Sequence, residues 1–214
     1  LDKLVLARKS YNGHNVAVIG AGPAGIVVAV KLAQEGYGVT IFERMQKIGG
    51  MLRYGIPDFR LPPSTLDRYA EKLLTLGIHI RPNTTIGGAI SVDDLFRDGY
   101  EAIFMGTGAW RAKSLGIHGE TLGNCHFAVN YLQNPDVYHL GDRVAVIGSG
   151  NSAMDVARTA IRKGSRYVTI YARRNGISAS ERELEYALMD GCEIQYAKGI
   201  HSVTPEGPMM YDRV

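Results

Sequence analysis

The chain has 214 residues, a formal charge of +3 at neutral pH and 45% hydrophobic residues, a composition ordinary for a soluble globular protein with core enough for one or two small domains. So small a charge, with its basic residues scattered, gives no case for nucleic acid; no apolar run reaches the roughly 18 residues of a membrane span, and no signal-peptide pattern opens the chain. Two widely spaced cysteines, Cys125 and Cys192, fit a reducing cytoplasm and no disulfide framework.

In chain order, the first informative segment is Val16-Ala17-Val18-Ile19, a strand-like run, followed by Gly20-Ala21-Gly22-Pro23-Ala24-Gly25. A helical stretch without breakers then runs from Pro23 to Glu35, Gly36 and Gly38 end it, and Val39-Thr40-Ile41-Phe42 reads as the next strand. Strand, G-x-G-x-x-G and helix form the dinucleotide fingerprint. The first glycine permits the turn, the second lets backbone approach a pyrophosphate, and the third lets the helix pack close. The helix then aims its unsatisfied N–H groups at the phosphates. Glu43 ends the second strand, where a carboxylate accepts from ribose hydroxyls and repels a 2′-phosphate. That suits FAD or NAD. The bland alternative is a glycine-rich turn without a ligand.

The stretch Gly49-Gly50-Met51-Leu52-Arg53-Tyr54-Gly55-Ile56-Pro57-Asp58-Phe59-Arg60-Leu61-Pro62 is too rich in glycine and proline for regular structure through most of its length. Its apolar content suggests an ordered loop. Pro63 to Leu76 is helical, with Leu66, Tyr69, Leu73 and Leu76 on one face. Ile78–Ile80 and Tyr100–Met105 read as strands, the latter entering Gly106-Thr107-Gly108-Ala109. A domain switch is expected near Ala109–Lys113, and a polar linker from Gln133 to Asp142.

A second fingerprint follows: Val144-Ala145-Val146-Ile147, then Gly148-Ser149-Gly150-Asn151-Ser152-Ala153, then a helix closing at Gly164. Ala153 stands where the third glycine would, a change the motif tolerates. The next strand is Tyr167–Tyr171, and after Ala172 come Arg173 and Arg174 in place of an acid. Guanidinium groups grip phosphate in a bidentate way, each charged hydrogen bond contributing roughly 1.5–3 kcal/mol. This end therefore favours NADP over NAD; the alternative is a solvated basic turn. Glu181, Glu183 and Glu185 read as a charged helix face, and His79, His126 and His139 as isolated structural or exposed residues.

Together these segments resemble the glutamate synthase small (β) subunit family of FAD/NAD(P)H oxidoreductases, which includes the matching region of dihydropyrimidine dehydrogenase and related NAD(P)H:ferredoxin oxidoreductases. The carrying segments are VAVIGAGPAG, GGMLRYGIPDFRLP, EAIFMGTGA, GIHGE, VAVIGSGNSAMDVARTAIRKG, YARR and RELEYALMDGCEI, spread from Val16 to about Ile194. The resemblance implies an α/β fold of two Rossmann-like, glutathione-reductase-like units, an NADP domain inserted in an FAD domain. On that reading residues 1–112 are the N-terminal part of the FAD domain, and 113–214 belong to the NAD(P) domain. Carried over residue by residue, Gly20, Gly22, Pro23, Ala24 and Gly25 hold the FAD pyrophosphate, and Glu43, with Arg44 beside it, the ribose end. Gly50, Met51, Leu52 and Arg60 line the flavin loop, Ile86 meets adenine through backbone, and Thr107 and Gly108 close the site. Gly148, Gly150, Asn151 and Ser152 hold the second pyrophosphate. Arg173, Arg174 and Arg182 surround the 2′-phosphate.

The resemblance further implies hydride transfer from NADPH to FAD and onward electron flow to iron–sulfur centres in an absent domain or a larger catalytic subunit. Two cysteines cannot ligate a four-cysteine cluster. The chain departs from the family pattern at Ile177-Ser178, where Met-Pro is usual, and in lacking the upstream cysteine-rich segment and the C-terminal Gly-Asp segment. With Leu1 in place of an initiator methionine, it is expected to be a piece of a longer protein. No side-chain acid or base is assigned, because the cofactors carry the chemistry. A flavin disulfide reductase would need a C-x-x-C pair, which is absent. A fragment that binds NADP(H) without turnover is the non-enzymatic alternative.

Overall fold

The computed structural model describes residues 6–213. They fall into two compact units: one takes the chain through Tyr54 and then Asp58–Ala109, the other Gly55–Pro57 and everything from Trp110 onward.

The first unit is built on a four-stranded parallel sheet in the order β3-β2-β1-β4. These strands are β1 (Asn15–Ile19), β2 (Gly38–Phe42), β3 (His79–Arg81) and β4 (Ala102–Met105). Helix α1 (Pro23–Gln34) joins β1 to β2, and α3 (Pro63–Thr75) leads into β3. Alternation along the strands sends side chains to two covered faces. Val18, Val39 and Ile41 pack with Ala29 and Ala33 of α1 and with Leu73 and Leu76 at the end of α3. Ala17, Ile19 and Phe42 meet Leu95 of α4 (Val92–Arg97) on the other. Double burial explains why β1 and β2 read as nearly continuous apolar runs. The chain travels outward from β1 to β3 and returns on the other side of β1 as β4. Strand order thus reverses at β1, the place where open parallel sheets bind ligands beyond their carboxyl ends.

The second unit repeats the plan with three parallel strands in the order β5-β6-β7, namely β5 (Arg143–Ile147), β6 (Tyr167–Tyr171) and β7 (Glu193–Gln195). Helices α6 (Asn151–Arg162) and α7 (Glu181–Met189) cross between them. Met154, Ala157 and Ala160 of α6 close on Val146, Val168, Ile170 and Ala187. Before this sheet come α5 (Ala128–Gln133) and a 3₁₀ turn at Pro135–Val137; after it, β8 (Lys198–Thr204) and β9 (Gly207–Asp212) form an antiparallel hairpin.

Four features add to or depart from the expectations above. The glycine-rich stretch contains a helical turn, α2 (Met51–Tyr54), because Leu52, Arg53 and Tyr54 donate N–H bonds back to Gly49 and Gly50. Tyr69 lies at the rim of its helix face and is 37% exposed, while Leu66, Leu73 and Leu76 are buried. The linker from Gln133 is interrupted by the 3₁₀ turn, which Pro135 starts. Glu183 is not part of a solvated face. It is buried against Arg158, whose Nη1 lies 3.4 Å from Glu183 Oε2 and whose Nε donates to Asp190 Oδ2 at 2.8 Å. Removing one partner from such a buried pair costs about 3–5 kcal/mol, so this cluster ties α6 to α7.

The tightest approach in the first unit is between α1 and the turn after β1. A Cβ on Gly25 would sit 1.9 Å from the Gly20 carbonyl oxygen, and backbone cannot swing aside as a side chain can. Gly25→Ala should therefore lower stability by about 1–3 kcal/mol, the range for overpacking, read as a lower midpoint in urea. The equivalent step in the second unit is already present as Ala153, so Ala153→Gly should not stabilise it by a comparable amount.

Candidate functional site

Both fingerprint loops leave the carboxyl end of a parallel strand and run into a helix. Gly20 N–H donates to Phe42 O at 2.8 Å, and Gly148 N–H donates to Tyr171 O at 3.1 Å. These matching bonds follow from the registers Ile19↔Phe42 and Ile147↔Tyr171. Gly22 and Gly150 are the N-cap residues of α1 and α6; neither helix start is closed by a side-chain cap, and Pro23 takes the first helical position of α1. Main-chain N–H groups therefore stand at both helix starts without capping side chains, as anion binding requires.

In the first unit three segments converge on the loop. Gly49 N–H donates to Ala21 O at 2.8 Å, and a Cβ on Gly50 would lie 2.7 Å from Gly22 Cα, so the turn before α2 lies directly on the fingerprint. A Cβ on Gly20 would meet Gly106 O at 2.5 Å and Thr107 Cα at 3.3 Å, which brings the turn after β4 to the same place. Within 4 Å of a Cβ on Gly22 lies only Gly50 Cα, at 3.9 Å. The loop is thus crowded where it holds itself and open at its middle glycine, which lets a ligand's phosphates reach backbone.

Glu43 is buried, with Oε2 accepting from Ala21 N–H and Oε1 from Met45 N–H, each at 2.7 Å. A carboxylate has about four acceptor positions, so two bonds to backbone leave capacity for ribose hydroxyls. Glu43 shapes the loop itself, a role its sequence position did not reveal. Arg44 is exposed beside it; Met51 opens α2, Leu52 and Arg60 are half-buried, and Thr107 and Gly108 are exposed beyond β4. Ile86 forms an isolated parallel bridge with Ile90 and packs near Phe42 and Leu95.

Arg53, unmarked within the loop's sequence, anchors it. Its Nε donates to Ile48 O and its Nη2 to Asp67 Oδ1, both at 2.7 Å. The turn Ile48-Gly49-Gly50 is held from behind by a guanidinium fixed to α3. The hydrogen bond from Arg53 holds the Asp67 carboxyl below the usual carboxylate range, against some desolvation.

In the second unit the position matching Glu43 is Ala172, fully buried and apolar. Arg173 and Arg174 follow, exposed and outside every ion pair among the described residues. Arg182, in the first turn of α7, lies over the ring of Tyr186 with its Nε 3.3 Å from the phenol oxygen. Ser152 is exposed at the start of α6. The segment after the arginines docks on the fingerprint: Ser178 and Ala179 N–H both donate to Ser149 O, at 2.9 and 2.8 Å. Burial pushes the Cys192 thiol up to about 11, and burial followed by the Glu120 charge raises that of Cys125. Neither is a ready thiolate.

Two Rossmann-type loops, one ending its second strand in an acid and the other in arginines, define a protein built to hold two dinucleotides. The pyridine nucleotide-disulphide oxidoreductase family model matches residues 14–209. The chain belongs to that family. It is 43% identical over 170 residues to the β subunit of an NADP(+)-dependent formate dehydrogenase of Moorella thermoacetica, covering 77% of this chain and 24% of that one. It is 34% identical over 200 residues to the NADPH glutamate synthase small chain of Escherichia coli, covering 86% and 42%. The chain thus spans less than half the length of these relatives. Among solved structures, Mycobacterium tuberculosis FprA in complex with NADPH has a TM-score of 0.76 at 18% identity, over 92% of this chain and 61% of that one. That likeness concerns the fold. Among the described residues no helix is long and apolar enough to cross a membrane.

Two outcomes test the first loop's construction. Glu43→Ala leaves the buried Ala21 N–H unpaired and should cost about 1–3 kcal/mol; Glu43→Gln, which keeps one acceptor oxygen, should cost less in the same unfolding experiment. For Asp67 the folded pKa is depressed, so its contribution is present above the unfolded value of about 3.9 and is lost as pH falls through the folded one. Acid unfolding from about pH 5 downward should therefore be steeper in the parent chain than in Asp67→Asn.

Proposed function

We propose that this chain is the dinucleotide-handling part of a flavin-dependent, NADPH-linked oxidoreductase, with FAD at the first loop and NADP(H) at the second. The observation that carries this reading is the contrast at one structural position: the buried carboxylate of Glu43 after β2, and buried Ala172 followed by exposed Arg173 and Arg174 after β6. A fixed anion beside the ribose repels a 2′-phosphate, whereas two exposed guanidinium groups attract one. The first loop fits an adenine dinucleotide without that phosphate, and the second fits one that has it.

With both bound, the two cofactors supply hydride transfer from nicotinamide to flavin and single-electron delivery to iron–sulfur centres. The chain's own residues supply position and charge. The Gly20–Gly25 and Gly148–Ala153 loops hold the diphosphates through main chain. Gly50, Met51 and Leu52 form the wall set over the first loop by Arg53. Thr107 and Gly108 follow the turn that closes on Gly20. No proton-transfer side chain is needed.

Support for an electron acceptor outside these residues comes from the relatives, which are named as subunits or chains of larger enzymes: a formate dehydrogenase, a glutamate synthase and an NADPH-Fe(3+) oxidoreductase. On this reading the acceptor domain or catalytic subunit determines what is finally reduced, and the module works in the cytoplasm.

Replacing both Arg173 and Arg174 by Ala should weaken NADPH binding by about tenfold or more, the scale of one lost charged hydrogen bond, while NADH binding changes little. Equal loss for both nucleotides in a calorimetric titration would refute the assignment of the 2′-phosphate end.

A further inference from the structure

The arginine turn is tied to the second fingerprint loop by a set of bonds that no nucleotide-binding role requires. Ser178 and Ala179 donate their N–H groups to Ser149 O at 2.9 and 2.8 Å. Ser149 Oγ and Ser178 Oγ lie 3.3 Å apart. Ser180 N–H donates to Asn151 Oδ1 at 2.9 Å, which joins the N-cap residue of α7 to the first residue of α6. On its other side, the turn is held by Ala197 N–H, which donates to Arg174 O at 3.3 Å. Residues 173–180 are thereby fastened at both ends, and one fastening is to the pyrophosphate loop itself.

We infer that Ser149, Asn151, Ser178 and Ser180 form a latch that fixes the distance between the pyrophosphate loop and the arginine turn, and so set the preference for NADP(H) over NAD(H). The inference rests on the two-ended nucleotide reading above. The pyrophosphate and the 2′-phosphate belong to one ligand, joined through a single ribose, so their separation is fixed by covalent geometry. A protein that presents both partners at that separation before binding avoids the cost of ordering a loop on contact. The second phosphate is then engaged at a high effective concentration. Only a ligand that touches both ends gains from this. NADH engages the pyrophosphate loop alone, and adenosine 2′-monophosphate engages the arginine turn alone. These residues position the arginines without touching the reacting atoms.

The backbone permits a clean test. Ser180 has φ −64°, the value proline imposes, so Ser180→Pro deletes the N–H that reaches Asn151 while keeping the local conformation. Ser180→Ala keeps that N–H and loses only the side-chain cap on Glu183 N–H, present at 3.4 Å. Dissociation constants for NADPH, NADH and adenosine 2′-monophosphate would be measured by titration calorimetry on the parent chain and both variants. Ser180→Pro is expected to weaken NADPH by about five- to tenfold, the scale of one lost hydrogen bond, with the other two ligands within about twofold. Ser180→Ala should match the parent. Asn151→Ala deletes the same bond from the other side and should lower the NADPH:NADH affinity ratio alike, which keeps the test intact if the proline variant does not fold. Unchanged NADPH affinity in Ser180→Pro, or an equal loss for all three ligands, overturns the latch while leaving the arginine reading standing. A parent chain that binds NADPH and NADH equally overturns the arginine reading and the latch with it.

Discussion

The carbonyl oxygen of Gly20 occupies the space that a Cβ on Gly25 would need, 1.9 Å away, and the first unit is arranged around that contact. It draws α1 against the end of β1, so that the helix start faces the sheet's carboxyl edge. Small residues continue the approach, with Ala29 and Ala33 buried along the same helix. The turn that results is too tight to be held by its own side chains, so neighbouring segments hold it. Glu43 takes the Ala21 N–H, Gly49 donates to Ala21 O, and the Gly106 carbonyl rests against Gly20. Each of these comes from a different part of the chain, and each arrives through backbone or through a buried carboxylate. The loop is consequently ordered from outside, with its middle glycine left open.

The second unit solves the same problem with less compression. A Cβ on Gly148 would have Ala153 Cβ as its nearest neighbour, at 3.8 Å, an ordinary contact. Its helix carries alanine, Ala153, at the position where the first unit demands glycine. The anchoring is also different, for no buried acid closes the loop from β6. Stability between the two crossing helices comes from Arg158, held by Asp190 and Glu183 and lying 5.1 Å over the ring of Tyr186. Burial opposes ionisation of Asp190, but Arg158 and Arg162 outweigh it and keep the carboxyl below its ordinary range. Such charges are sustained only as a group, and this group makes α7, with Arg182 in its first turn, a fixed neighbour of the fingerprint helix.

How far the sequence discloses this follows from the kind of signal each feature leaves. Parallel strands and their crossing helices leave apolar or 3.6-periodic runs whether one face or both are covered, so β1, β2, α1, β5, α6 and β6 lie within a residue or two of where those runs put them. Short elements leave less. The six-residue α4 is too short to show a periodic run, and its one signal is the reciprocal capping box of Ser91 and Asp94 at its start, an S-x-x-D variant of a recognisable signature. The hairpin β8–β9 carries its register in exposed residues such as Met209 and Tyr211, where alternation is weak. Glu183 looked solvated because its neighbours Glu181 and Glu185 are; only the presence of Arg158 across the helix pair distinguishes it, and that is a tertiary fact. For the same reason Arg53, inside a recognisable motif, gives no sign in the sequence that it reaches back to Ile48 and across to Asp67.

The contrast between the two nucleotide ends is sharper in three dimensions than along the chain. By sequence alone the second unit seems to exchange one acid for two arginines at one site. By register the exchange is acid for alanine, since Glu43 and Ala172 each follow the residue whose carbonyl receives the fingerprint glycine's N–H. The arginines begin one residue later, on the exposed side of the turn. A buried cation at the first of these positions would face the loop's own amide donors, a like-charged arrangement with nothing to offset it. Placing the guanidinium groups one step outward avoids that conflict and keeps them solvated. The two strand ends thus differ in their physics: a desolvated anion satisfied by the loop it shapes, and exposed cations on a turn tied to its fingerprint loop.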